Sequence, residues 1–210
     1  MELSEAIRTR RSVKHFDPEH KISDEELRKL LSLTILSPTS FNMQNRHFVV
    51  VRDAEVKQRL FEAAWKQDQV RDASVVVLFT GDAAAQRNTD RYLRNAPPEV
   101  REMLEPMILG FYEGKSELIA AEACRSAGLA AMTMMLVAKD MGYDSCPMIG
   151  FDPARVAEIL SLPENHPPLL MVVVGKAVKP ARPRMGLLTL EEVVSLDRFG
   201  NHTMTGEVGE

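Results

Sequence analysis

From Ser116 to Met141 the sequence SELIAAEACRSAGLAAMTMMLVAKDM contains no proline, and it is bounded by Gly142. It reads as one helix of about 26 residues, ~39 Å at 1.5 Å per residue, with glycine as the residue after its C-cap. Its second half is apolar nearly all round, so it must be buried on all sides, in a core or against another subunit. No two-layer arrangement that wets one face of this helix satisfies that demand, and the rest of the chain must supply the cover.

Three short β-branched or apolar runs are available for that purpose, Phe48–Val51, Val75–Phe79 and Leu169–Val174, each bounded by Gly, Asp or Pro. They read as central strands. Helices separate them. Ser23 with Glu26 forms a capping box, and Leu27, Leu30, Leu31 and Ile35 follow at helical spacing until Pro38. Asp53 to Trp65 carries Val56 and Leu60 on one face, Asp152-Pro153 opens a short helix, and Thr189 with Glu192 makes a second capping box. Residues 83–115, interrupted at Pro97-Pro98 and Pro106, read as short helical pieces forming an excursion on the core fold. One domain over 1–200 is expected, followed by a polar tail, 201–210.

The formal net charge of -4 draws the chain to neither nucleic acid nor anionic lipid. Any anion must therefore be held locally. The apolar runs are too short for a membrane span, and the first residues lack the apolar stretch of a signal peptide. Two cysteines without ligand spacing suit a reducing cytoplasm. The five histidines show no ligand pairing, so no metal is expected. Gly110 to Ser116 is one residue short of a P-loop, and the usual fingerprints of a Rossmann site, a zinc protease and a serine hydrolase are absent.

Against the acidic balance, Arg8, Arg10, Arg11 and Lys14 cluster with Ser12 at the end of a first helix. Arginine forks and a hydroxyl suit a phosphate, although solvated surface charge explains the same residues. Lys176, Lys179, Arg182 and Arg184 form a second basic segment. Ser37 to Asn45 is a polar loop between a helix and a strand, a common place for ligand contacts and equally for a capped turn. Cys146 to Asp152 leads into a helix, with Gly150 permitting close approach of a ligand to backbone amides, or simply a turn.

Taken in order, Arg10-Arg11-Ser12-Val13-Lys14, Ser37-Pro38-Thr39-Ser40-Phe41-Asn42-Met43-Gln44, Asp72-Ala73-Ser74, Gly142-Tyr143 through Pro147-Met148-Ile149-Gly150-Phe151, and Arg182-Pro183-Arg184 resemble the FMN-dependent nitroreductase family over nearly the whole chain. The resemblance implies an α+β fold with a mainly antiparallel central sheet flanked by helices, assembled as an intertwined homodimer with two FMN sites at the subunit interface. It implies that Arg10, Arg11, Ser12, Arg182 and Arg184 hold the FMN phosphate, and that Lys14 lies beside the N1 and O2 edge of the ring, where positive charge favours the reduced state. It further implies that Pro38, Thr39, Ser40, Asn42 and Gln44 come from the partner subunit. Pro147 and the backbone amides of Ile149 and Gly150 would face the ring at N5 and O4, and Lys66, Gln67 or Gln69 the pyrimidine edge. Many relatives carry an acidic residue where Ile149 stands.

With a flavin carrying the chemistry, no acid-base triad is needed. NADH or NADPH would reduce the cofactor and a small electron acceptor would then replace it, in a ping-pong cycle. The 83–115 excursion would form a lid, with Phe111 or Tyr112 either stacking on the substrate or packing beneath the lid. Rival expectations are a reductive dehalogenase or flavin-fragmenting relative on the same scaffold, a flavin-binding protein without turnover, and a helical interaction module without cofactor.

Overall fold

Helix α1 (Leu3–Thr9) is short, and only Ala6 of it is buried. It stops at Arg10, whose backbone turns extended while its N–H still bonds to Ala6 O. Helix α2 (Asp24–Thr34) starts as the capping box dictates. The Ser23 hydroxyl accepts the Glu26 N–H at 3.2 Å, and Glu26 Oε2 accepts the Ser23 N–H at 3.0 Å and its hydroxyl at 2.7 Å. These two donations, the hydroxyl first and then the backbone, with the Tyr143 hydroxyl third, hold the Glu26 carboxyl down to about 2. Because the folded value lies below the ordinary 4.5, this contribution to stability is present above pH 4.5 and is lost as pH falls toward 2. Glu26→Gln is therefore expected to melt below the wild type at neutral pH, with the gap closing on acidification toward pH ~2. A gap independent of pH in thermal unfolding refutes that linkage.

The computed structural model describes residues 1–201, so the expected tail from residue 202 onward lies outside the described residues. The chain divides into two compact units, Met1–Pro180 and Ala181–Glu210, the second beginning inside the span 1–200 read above as one domain. In the first unit the elements after α2 run β1 (Arg46–Val51), α3 (Ala54–Ala63), α4 (Asp68–Asp72), β2 (Val75–Gly81), α5 (Thr89–Tyr92), α6 (Pro98–Tyr112), α7 (Ser116–Asp140), β3 (Asp144–Met148), α8 (Pro153–Ile159) and β4 (Pro168–Gly175). The second unit contains α9 (Leu190–Val193), opened by the Thr189–Glu192 capping box, after an extended segment that includes Arg182 and Arg184.

The four strands form one antiparallel sheet in the order β1-β2-β4-β3, which makes the fold α+β. β2 and β4 are central, and every residue of β2 is buried. β1, expected to be central, is an outer strand among the described residues, because apolar composition reports burial and not position within a sheet. β3 is the other outer strand. It contains Pro147, which lacks an N–H for the ladder and is tolerated at an edge.

α7 packs on α2 and across the sheet. Ala127, Ala130, Ala131, Met134 and Ala138 meet Leu30, Val75, Val77, Phe79, Val172 and Val174 in one buried cluster. Alanines on this stripe let the helix axis approach the strands closely. Burial on all sides does not hold within the single chain, since Leu129 and Met132 on another face are exposed. The helix ends as expected at Gly142, φ +76°, with Tyr143 N–H bonded to Ala138 O at 2.8 Å and Gly142 N–H to Lys139 O at 3.0 Å.

The excursion differs from its expected pieces in one respect. α6 runs through Pro106 without ending there, while Pro98 occupies its first turn, where a missing N–H costs nothing. Among the described residues no helix is long and apolar enough to cross a membrane, and no group of three or more His, Cys, Asp or Glu is placed to hold a metal.

Candidate functional site

Beyond α1 the chain from Arg10 runs extended along the outer edge of β3. Ser12 forms a parallel bridge with Ser145, and Val13 N–H donates to Ser145 O at 3.1 Å. Asp17 N–H then bonds to Lys176 O at 2.9 Å and Val178 N–H to His15 O at 3.0 Å, so the segment is fastened at both ends. Val13 is buried while Ser12 and Lys14 on either side of it are exposed, so the alternation of an extended chain carries these polar groups outward. The bridge sets this segment beside Cys146 on β3, whose thiol donates to Pro147 O at 3.6 Å. Burial pushes the Cys146 thiol up, and Lys14, Ser12 and Arg10 pull it back down.

Two residues along the same face of β3, about 7 Å away, Met148 receives the side-chain amide of Gln69 at 3.6 Å. Gln69 also donates to Gln67 Oε1 at 3.0 Å, and Gln67 Nε2 donates to Gly150 O at 2.8 Å. Trp65 lies on the same turn: a Cβ at Gly150 would stand 3.2 Å from its Cζ3. Trp65 is 68% exposed and Ile149 78%, an open apolar rim next to Lys66. Gln69, by contrast, is only 4% exposed and turned inward. Trp65 was missed as a site residue; its one signal was that the chain's single tryptophan stands next to the Lys66–Gln69 stretch.

The Ser37–Asn45 loop occupies a different place. It precedes Arg46, which pairs with Gly81 at the far end of β2, whereas Ser12 and Ser145 align through Val174 with Val75 at the near end. Ser12 and the loop sit at diagonally opposite corners of the sheet, roughly 14 Å apart across β1 to β3 and about 20 Å along β2, while Met148, aligned through Met171 with Leu78, stands about 10 Å along β2 from Gly81. One chain therefore brings together Arg10–Lys14, Lys66–Gln69, Pro147, Ile149 and Gly150, and does not bring Pro38, Thr39, Ser40, Asn42 or Gln44 to them.

That loop is strained and heavily braced. Phe41, Asn42 and Gln44 have φ of 50°, 56° and 47°. Thr39 Oγ1 accepts the Gln44 N–H at 3.0 Å, Asn42 Nδ2 donates to Tyr92 O at 3.2 Å, and the Tyr112 hydroxyl donates to Ser40 Oγ at 3.0 Å. Beneath it the buried Arg46 guanidinium donates to Ile35 O and Ser37 O, both at 2.8 Å, a support not identified from sequence. Of seven non-glycine residues with positive φ among the described residues, five fall in this loop or at Trp65 and Lys66. Left-handed side-chain-bearing residues cost of order 1–3 kcal/mol each and persist where surrounding structure enforces them, typically at functional sites.

Tyr112 takes the packing alternative: it is 3% exposed, touches Phe41 edge-on, and its burial pushes the phenol up. Phe111 is half-exposed and remains available to a ligand. An open cleft of about 930 Å³ lies within the excursion, bounded by Gln86, Arg87, Leu109 and Lys115, and Tyr112 alone of the expected site residues lines it.

The fold as a whole is shared with known proteins. Residues 7–176 match the model of the Nitroreductase family. The chain belongs to the nitroreductase family. Among its relatives, Protein DrgA of Synechocystis sp. is 47% identical over 182 residues, covering 86% of this chain and 87% of DrgA. MhqN of Bacillus subtilis, assigned as an NAD(P)H nitroreductase, is 36% identical over 191 residues, covering 87% of this chain and 93% of MhqN. A solved structure of an Exiguobacterium sibiricum protein, assigned to the nitroreductases and in complex with FMN, superposes with a TM-score of 0.84 at 30% identity, covering 93% of this chain and 97% of that one. Membership in this family makes the chain an oxidoreductase enzyme.

Proposed function

We propose that this nitroreductase binds FMN non-covalently and works as a homodimeric NAD(P)H oxidoreductase that reduces small electrophiles such as nitroaromatics or quinones by a ping-pong route. The observation that carries the reading is the convergence on β3 of three segments distant in sequence, 10–14, 65–69 and 147–150. Their chemistry grades along the strand in the order that FMN requires: arginine forks and a hydroxyl, then an ammonium, then backbone amides beside an apolar rim.

Arg10, Arg11 and Ser12 would hold the phosphate. Lys14 would set positive charge against the pyrimidine edge, with Lys66 nearby; the inward turn of Gln69 favours a supporting task for that residue. Pro147 and the Ile149–Gly150 amides would bound the ring at its far end. Held there, FMN would supply the hydride-transfer chemistry between a nicotinamide and an oxidised acceptor. The chain's residues need only bind, orient and exclude water.

The diagonal separation of the Pro38–Gln44 loop from β3 supports a second copy as the source of the loop at each site. The exposed Leu129 and Met132 of α7, with Leu3 and Ile7 of α1, offer apolar surface for that association. The 83–115 excursion, whose Tyr92 and Tyr112 brace the loop, would act as the lid, with Phe111 meeting the substrate. Two free cysteines, Cys124 and Cys146, fit a reducing cytoplasm.

Purified protein is expected to be yellow, and to bleach rapidly on anaerobic mixing with NADH or NADPH. Persistent colour would assign it to flavin binding without turnover. A colourless protein that takes up no FMN would overturn the reading.

A further inference from the structure

We infer that Gln67, oriented by Gln69, is a positioning residue that aims the Ile149–Gly150 turn at FMN and so sets the relative affinity of the site for oxidised and reduced cofactor; this rests on the FMN reading above. Phe151 N–H bonds back to Ile149 O at 3.1 Å, a three-residue turn centred on Gly150. In a trans peptide the C=O and the following N–H point in opposite directions. Ile149 O faces the Phe151 N–H across the turn, so the Gly150 N–H faces the other way, out of the turn.

The next peptide is held as firmly. Its carbonyl, Gly150 O, receives Gln67 Nε2 at 2.8 Å. A carboxamide is nearly symmetric in shape, and either end could meet that carbonyl, one favourably and one with two oxygens opposed. Gln69 decides the matter by donating to Gln67 Oε1 at 3.0 Å, which leaves Nε2 for Gly150. Gln69 is itself buried against Met148, so it has little freedom to release this bond. The left-handed backbone at Trp65 and Lys66, φ 52° and 57°, brings Gln67 over the turn, and Asp152 N–H donates to Ala63 O at 2.9 Å as a second tie.

The chemical consequence follows from the flavin ring. N5 accepts a hydrogen bond when FMN is oxidised and carries its own hydrogen when FMN is reduced. A fixed N–H donor aimed at N5 therefore favours the oxidised form. Removing the device weakens oxidised FMN more than reduced FMN.

Gln67→Leu and Gln69→Leu are to be compared with wild type in FMN dissociation constants and anaerobic midpoint potential, with apo-protein melting as the fold control. For Gln67→Leu the ratio of the oxidised to the reduced dissociation constant should rise about tenfold, a positive shift of about 30 mV for the two-electron couple. Gln69→Leu should move it in the same direction by less, and the exposed Gln58→Leu should leave it unmoved. Wild-type protein that binds no FMN overturns the cofactor reading and this inference with it. FMN bound normally, with an unmoved ratio in Gln67→Leu, overturns the inference alone. Should Gln67→Leu fail to fold, an unmoved ratio in Gln69→Leu does the same.

Discussion

Arg10→Ala should raise the FMN dissociation constant by about 10- to 150-fold, the equivalent of roughly 1.5–3 kcal/mol for one charge-assisted phosphate contact. The residue closes α1, and its backbone N–H bond to Ala6 O survives truncation of the side chain. The Ser12–Ser145 bridge and the Val13 bond to Ser145 likewise use main-chain atoms only, so the path of the segment along β3 is retained. The loss should therefore appear in cofactor retention and not in the melting of apo-protein. Arg10→Lys should fall between, since it keeps the charge and loses the fork. Titration of apo-protein with FMN checks both, and an unchanged constant for Arg10→Ala removes the phosphate assignment.

Phe79→Ala should cost about 3–5 kcal/mol of stability, a large share of the 5–15 kcal/mol typical of a folded domain. Phe79 is fully buried in the middle of β2, within the cluster that α7 covers, and its ring meets Phe48 of β1 edge-on at a centroid distance of 4.8 Å. Alanine forfeits the apolar burial and leaves a cavity between helix and sheet that neighbouring backbones cannot close. The urea midpoint should fall at nearly constant slope. A loss under about 1 kcal/mol would mean that this part of the core collapses around the gap far more easily than its close packing implies.

What could be read from sequence was what is encoded locally. Ser23 with Glu26, Asp53, Asp152 with Pro153, and Thr189 with Glu192 each open a helix where expected, because a cap is a bond between a side chain and amides two or three residues away. β2 and β4 announced themselves by apolar runs. β3 did not: Asp144-Ser145-Cys146-Pro147-Met148 is partly polar and includes a proline, and it becomes a strand through pairing with β4. The outer place of β1 and the passage of α6 through Pro106 are likewise decided by neighbours and not by composition.

At the site, residue type was legible where charge was out of place, as at Arg10 to Lys14. The partnership of Gln67 with Gly150 joins residues 83 apart in sequence, and no local pattern signals it. Gln69 was singled out, with Lys66 and Gln67, through the family resemblance alone, and its burial against Met148 comes from tertiary packing that no local pattern signals. Tyr112 and Phe111 were indistinguishable as aromatic neighbours until helical geometry put one under the loop and left the other outside.

The corner-to-corner placement of the two loop systems has a genetic consequence. If each cofactor is shared between copies as proposed, a lesion at Arg10 damages the pocket built on its own chain, while a lesion at Asn42 damages the neighbour's. Two alleles that each abolish turnover would, when expressed together, leave one pocket of every mixed pair intact.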